Sequence, residues 1–158
     1  MKTIFTLVAC SLLLVIAGCK SETNTVTGTT FTPEMSATVD GTSWTAIAPQ
    51  VISQGGITVM SGVNVEGRVI SISLNGISAT GTYPLGGLLN QRVGTLTLGT
   101  TPADIYTTPI LTLADSTSGS LVVTTYSGGQ MQGTFSFRAT NTAGASKSVA
   151  SGKFNLKY

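Results

Sequence analysis

From Met35 onward the apolar residues of this chain recur at every second position, and turn dipeptides interrupt them at short intervals. Successive side chains of a β-strand point to opposite faces, so this rhythm specifies strands with one buried and one wetted side. Val, Ile, Thr and aromatic residues fill the alternating positions, as a pleated, half-buried surface requires. No stretch carries a 3.6-residue apolar stripe, which argues against an architecture of amphipathic helices.

The first hairpin can be read down to its register. A two-residue type I′ turn needs positive φ at both central residues, and Asp40-Gly41 is a preferred pair for it. That turn sets Val39 opposite Thr42, Ala37 opposite Trp44 and Met35 opposite Ala46, a mostly apolar face. The other face, Thr38 opposite Ser43 and Ser36 opposite Thr45, is wholly polar. Turn chemistry and face chemistry therefore agree. Read the same way, Glu66-Gly67 predicts Val63 opposite Ile70 and Val59 opposite Leu74. Asn75-Gly76 predicts Leu74 opposite Ile77 and Ile72 opposite Ala79.

Further strands are expected at residues 93–98, 110–113, 121–126, 131–140 and 149–158. In the penultimate one Phe135, Phe137 and Ala139 face one way, and Thr134, Ser136 and Arg138 the other. In the last, Phe154, Leu156 and Tyr158 alternate with Lys153, Asn155 and Lys157. The expected fold is all-β: an antiparallel meander of about 8–10 strands closing as a β-barrel or a flattened β-sandwich. The run of consecutive hairpins favours the up-and-down barrel.

The start of the chain follows a different grammar. Lys2 precedes an apolar run over residues 4–17, broken only by Thr6, Cys10 and Ser11. A membrane-spanning helix needs ~20 apolar residues. This run is shorter and ends at small residues, as a secretory signal does. Ile16-Ala17-Gly18-Cys19 resembles the lipobox of bacterial lipoproteins. The resemblance implies cleavage between Gly18 and Cys19, and acyl chains on Cys19. Two or more chains make a stable anchor. Lys20 is not the aspartate that retains some lipoproteins in the inner membrane, so the outer membrane is the expected address. Residues 20–34 are Thr-rich and aperiodic, a tether of roughly 20 Å root-mean-square reach. The organisation is thus 1–18 signal peptide, 19–34 lipidated cysteine and tether, and 35–158 a single all-β domain.

Composition narrows the chemistry. The chain has no histidine, which rules out Ser-His-Asp and Cys-His catalysis and the usual zinc sites. Its two cysteines are Cys10, which leaves with the signal, and Cys19, so the domain has neither thiol nor disulfide. Eight basic and six acidic residues are scattered, without the clustered positive charge that nucleic acid requires. The carboxylates are Glu22 and Glu34 in the tether, Asp40 and Glu66 in turns, and Asp104 and Asp115 in later loops. A lone carboxylate at Asp115 is too few for calcium, and no metal or other cofactor is expected.

Candidate contact residues are correspondingly few. Residues 99–109 lack clear alternation and carry two prolines, which makes Asp104 and Tyr106 candidates for ligand contact on a barrel-mouth loop. Trp44 is a candidate sugar platform, although its pairing with Ala37 is also ordinary core packing. Asp115-Ser116-Thr117 resembles the acceptor motif for O-glycosylation of exported Bacteroidetes proteins, with Ser116 as the acceptor.

Four motifs recur in order along the chain: residues 35–44, Gly81-Thr82-Tyr83-Pro84-Leu85, residues 133–139, and Ser151-Gly152-Lys153-Phe154-Asn155-Leu156. Together they resemble an uncharacterised family of small Bacteroidetes lipoproteins, a domain of unknown function that is all-β. The resemblance implies the fold and the anchor but no activity. The expected function is a non-catalytic, lipid-anchored envelope protein that binds a small ligand or glycan. The alternative is a structural or protein-interaction component of the envelope.

Overall fold

The computed structural model describes residues 31–87, 91–109 and 118–158. The signal segment, Gly18, Cys19, residues 20–30, the strand expected at 110–113, and Asp115 and Ser116 lie outside the described residues.

The first hairpin forms as its turn chemistry requires. β1 (Glu34–Val39) and β2 (Thr42–Thr45) flank Asp40 and Gly41, whose φ values are 47° and 82°. Val39 faces Thr42 and Ala37 faces Trp44. The Ala46 N–H donates to the Met35 carbonyl at 2.9 Å. The turn is also tied to the far end of the chain. Asp40 accepts from the Ser148 N–H at 2.8 Å and pairs with the Lys147 ammonium at 2.8 Å. The lysine's hydrogen bond, then that of Ser148, holds the Asp40 carboxyl below its ordinary 3.8. The same carboxylate holds the Lys147 ammonium above its ordinary value.

Beyond Ala46 the chain changes partner. The Ile47 N–H donates to the Val63 carbonyl at 2.8 Å. β3 (Gln50–Gln54) then pairs with β4 (Ile57–Val63) through a Gly55-Gly56 turn. The Trp44 indole N–H donates to the Arg68 carbonyl at 3.1 Å. One continuous segment therefore stitches β1 to the β4 side of the molecule.

The register expected at Glu66-Gly67 is off by one residue. Gly62 faces Ile70, Met60 faces Ile72 and Thr58 faces Leu74 in β5 (Val69–Asn75). Thr58, Met60 and Gly62 are buried in consequence, while Val59 and Val63 are only half-buried on the other face. The cause is Asn64. Its side-chain oxygen accepts from the Glu66 and Arg68 N–H groups at 3.1 and 2.9 Å, and its own N–H donates to the Arg68 carbonyl. This closes a three-residue loop over Val65, Glu66 and Gly67 rather than a two-residue turn. A slip of one residue exchanges the faces of a strand.

The hairpin expected at Asn75-Gly76 does not form. Both sides of β5 are taken, since Ile72 lies between Met60 of β4 and Gly94 of β7 (Val93–Thr97). The Gly76 N–H donates to the Gly56 carbonyl instead. The chain passes Ile77, which is buried, to β6 (Gly81–Leu85), which pairs with β9 (Gly119–Ser127). Residues 99–109 are likewise not an irregular loop. A single 3-10 turn over Pro102–Asp104 leads into β8 (Ile105–Thr107), which pairs with β7.

β10 (Gln130–Thr140) and β11 (Ser146–Lys157) are the longest strands. Phe135, Phe137 and Ala139 are buried, and Thr134, Ser136 and Arg138 exposed, as the alternation predicts. Phe154 and Leu156 are buried too, whereas Tyr158 stays 45% exposed and stacks on Tyr126 with 4.9 Å between ring centroids.

The described strands number eleven, in the order β2-β1-β11-β10-β8-β7-β5-β4-β3. β9 pairs with both β10 and β6, off this path. The result is one curled antiparallel sheet forming a half-barrel, with β3 coming up against β11. It is not a pure meander, because β6 and β9 leave the path to pair with each other, and β1 and β8 join β11 and β10 out of chain order. The concave side is filled by Met60, Ile70, Ile72, Leu74 and Leu96, all at 0% exposure. Burying an aliphatic side chain of this kind stabilises by about 1.5–3 kcal/mol. Among the described residues every buried side-chain nitrogen and oxygen has a hydrogen-bond partner.

Candidate functional site

The aromatic residues of β10 and β11 face glycines across the sheet. Phe135 lies opposite Gly152 and Phe154 opposite Gly133. A Cβ on Gly152 would stand 2.5 Å from the Phe135 ring. Each ring therefore occupies the space its partner's side chain leaves free, and the rings stay on the concave side. The convex side of these strands is left to short polar side chains.

Three irregularities converge there. Ser36 pairs with Lys153 but Thr38 with Ala150, and Phe135 with Gly152 but Phe137 with Val149. Both neighbours thus meet one extra residue in β11. The bulge contains Ser151, a non-glycine residue at φ 51°. A second bulge, at Thr124 of β9, separates the Gln132–Thr125 pair from Gly133–Val123. Bulges bend a strand and re-aim side chains, and they gather near functional sites, as does positive φ outside glycine.

The bent surface holds a polar trough in two parts. One, of about 300 Å³, is lined by Glu34, Ser36, Gln132, Thr134, Lys153 and Asn155 among others. The other, of about 350 Å³, is lined by Ser120, Val122, Thr134, Ser136, Ser151 and Lys153, over the backbone of Phe135 and Gly152. Thr134 and Lys153 belong to both. The register explains the arrangement. Ser36, Lys153, Thr134 and Val122 form one rung across β1, β11, β10 and β9. Glu34, Asn155, Gln132 and Thr125 form the rung on one side of it. Ser136 and Ser120 flank it on the other. The Gln130 amide donates to Asn155 at 2.7 Å, and Thr125 donates to the Gln132 side chain at 3.3 Å. The trough offers hydroxyls, amides, one ammonium and one carboxylate. It can hold a polar ligand by hydrogen bonds. It carries no nucleophile–base pair of the histidine kind, the chain having no histidine.

The residues singled out in the sequence lie elsewhere. Trp44 is 2% exposed in the core, its one polar atom bonded to the Arg68 carbonyl. Tyr106 is buried on β8. Asp104 accepts from the Thr101 hydroxyl at 2.7 Å and the Thr101 N–H at 3.1 Å, which lowers its pKa from the ordinary 3.8. Asp104 and Tyr106 are neighbours in the chain, but none of the three lines the trough. Cys19, Gly18 and Ser116 lie outside the described residues. Among the described residues no group of three or more carboxylates, histidines or cysteines is placed to hold a metal ion.

A family model described as a domain of unknown function (DUF6252) matches residues 31–156. The match spans most of the chain, and the chain belongs to that family. No curated protein and no solved structure matches it.

Proposed function

Taking membership of that family as the premise, we propose that the chain is a lipid-anchored envelope protein whose domain binds a small polar ligand or glycan without transforming it. The polar trough carries this reading. Its two parts together are of the size that small ligands occupy, it is lined by hydrogen-bonding groups, and it sits where the register shifts of the sheet gather. The anchor rests on the lipobox-like Ile16-Ala17-Gly18-Cys19, and Lys20, standing where an aspartate would retain a lipoprotein in the inner membrane, supports the outer membrane as its address. A second reading, an interaction component of the envelope, draws on Ile47, Ile52 and Ile57, exposed by 64, 57 and 48% around β3.

The binding reading is tested by filling the trough. Ser136 is exposed and its side chain points away from the core, so Ser136→Trp should leave the melting temperature within about 2 °C. A glycan array and isothermal titration of its best hits should show at least a tenfold weaker Kd for the variant, about 1.4 kcal/mol. Ligand-induced amide shifts that map to Tyr106 or Asp104, with Ser136→Trp binding normally, would refute the assignment of the trough. For the anchor, Cys19→Ser should move the protein from the detergent phase to the aqueous phase, or leave it uncleaved. Unchanged partitioning of that variant would end the lipoprotein reading.

A further inference from the structure

We propose that the ligand of the trough is an acidic saccharide, a sugar bearing a carboxylate, seated with its anionic group on Lys153; this rests on the trough being the binding site.

Lys153 occupies the centre of the trough. It stands in register with Ser36 on one side and Thr134 on the other, and it lines both parts. The ion pairs among the described residues are Arg68–Glu66 and Lys147–Asp40, so Lys153 forms none. Further cations follow along the same strands. Lys157, whose ammonium lies 4.6 Å from the centre of the Phe31 ring, is four residues along β11, about 13 Å away at the strand rise of ~3.3 Å per residue, and Arg138 stands four residues beyond Thr134 on β10. Glu34 is the one carboxylate lining the trough. It lies a rung away, opposite Asn155, where it can accept from a sugar hydroxyl. The positive charge at the centre is therefore that of Lys153 itself.

The lining also decides against a neutral sugar. Sugars gain much of their affinity by laying apolar C–H faces on an open aromatic ring. Phe135 and Phe154 belong to the lining, but each is only 3% exposed, and their rings pack over Gly152 and Gly133 on the concave side. With no ring face available, affinity has to come from hydrogen bonds. Neutral hydrogen bonds largely replace those made to water, while charge-assisted ones are roughly twice as strong. A carboxylate on Lys153, with ring hydroxyls on Thr134, Ser136, Gln132 and Asn155, draws on polar groups of both parts of the trough.

The test is isothermal titration of the protein with oligogalacturonate and with a neutral galactose oligomer of equal length. The acidic oligomer should bind at least tenfold more tightly. The preference should shrink as salt rises from about 0.01 M to about 1 M, because the screening length falls from ~30 Å to ~3 Å around an open site. Lys153→Gln should remove the preference, while Lys147→Gln, whose ammonium is engaged with Asp40, should keep it. Equal binding of both oligomers, or a preference that survives Lys153→Gln, overturns the inference and leaves the trough as a binding site. Failure of both oligomers, with an array hit still displaced by Ser136→Trp, also overturns this inference alone. Failure of every ligand to depend on Ser136 or Lys153 overturns the binding reading with it.

Discussion

Gly133→Ala is expected to cost about 3 kcal/mol or more, at or above the upper end of what over-packing usually takes. Gly133 lies on β10 between Phe154 and Val123, beside the Thr124 bulge. A methyl group there would fall on the carbonyl oxygen of Val122 and within 2.8 Å of the Phe154 ring. The ring could rotate away, but the carbonyl belongs to the backbone of β9. Relief therefore means moving β9 off β10, which breaks the ladder and opens the floor of the trough. A domain of this size has a stability of about 5–15 kcal/mol, so the loss is a large share of the whole. Urea unfolding followed by far-ultraviolet circular dichroism measures it directly. Thr134→Ala, one residue along and exposed, should stay within about 0.5 kcal/mol. If Gly133→Ala unfolds at the same urea concentration as the parent, the close approach of β9 and β10 is wrong.

Trp44→Ala is expected to cost about 3–5 kcal/mol, the range for removing a large buried aromatic side chain. Two losses combine. The ring is 2% exposed and lies 3.1 Å from where a Cβ on Gly62 would stand, so its removal leaves a void between β2 and β4. The Arg68 carbonyl also loses its indole donor. Trp44→Phe keeps most of the packing and separates the two contributions. It should lose the hydrogen bond, about 1 kcal/mol, plus a smaller packing deficit. The chain has a single tryptophan, so its fluorescence reports on this site alone. A buried indole should emit at short wavelength and resist quenching by iodide. Strong quenching in the folded protein, or a Trp44→Ala variant as stable as the parent, would remove Trp44 from the core and return it to the surface as a ligand platform.

Much of the fold was legible because it rests on local rules. The Asp40-Gly41 hairpin, down to Ala37 opposite Trp44, follows from turn geometry and face polarity within a dozen residues. The same holds for the inward Phe135, Phe137 and Ala139. The errors fall where a local signal met a competing partner. At Glu66-Gly67 the turn dipeptide was read correctly as a reversal, but the Asn64 side chain captured two backbone N–H groups and enlarged the loop by one residue. At Asn75-Gly76 only the glycine takes positive φ, at 71°, and Asn75 stays in β5, because β4 and β7 already hold both edges of that strand. Neither outcome is encoded in the dipeptide itself. The trough was hidden for a related reason. Its wet positions, Thr134, Ser136 and Lys153, could be read from the alternation, but the bulge at Ser151 and the union of four strands into one rung could not.

Residues 35–158 determined by themselves that the domain would be antiparallel β-structure, because side-chain alternation depends only on the pleat of an extended chain. The absence of histidine and of a free thiol in the domain excluded whole classes of catalysis for a reason equally independent of folding. Which strand lies beside which, by contrast, was decided only in three dimensions. Each sheet edge accepts one partner, and the pairings β1–β11, β6–β9 and β8–β10 join strands that are not neighbours in the chain. The site depends on one of them: local hairpins join β9, β10 and β11, which carry Val122, Thr134 and Lys153, but Ser36 reaches the same rung only through the β1–β11 pairing.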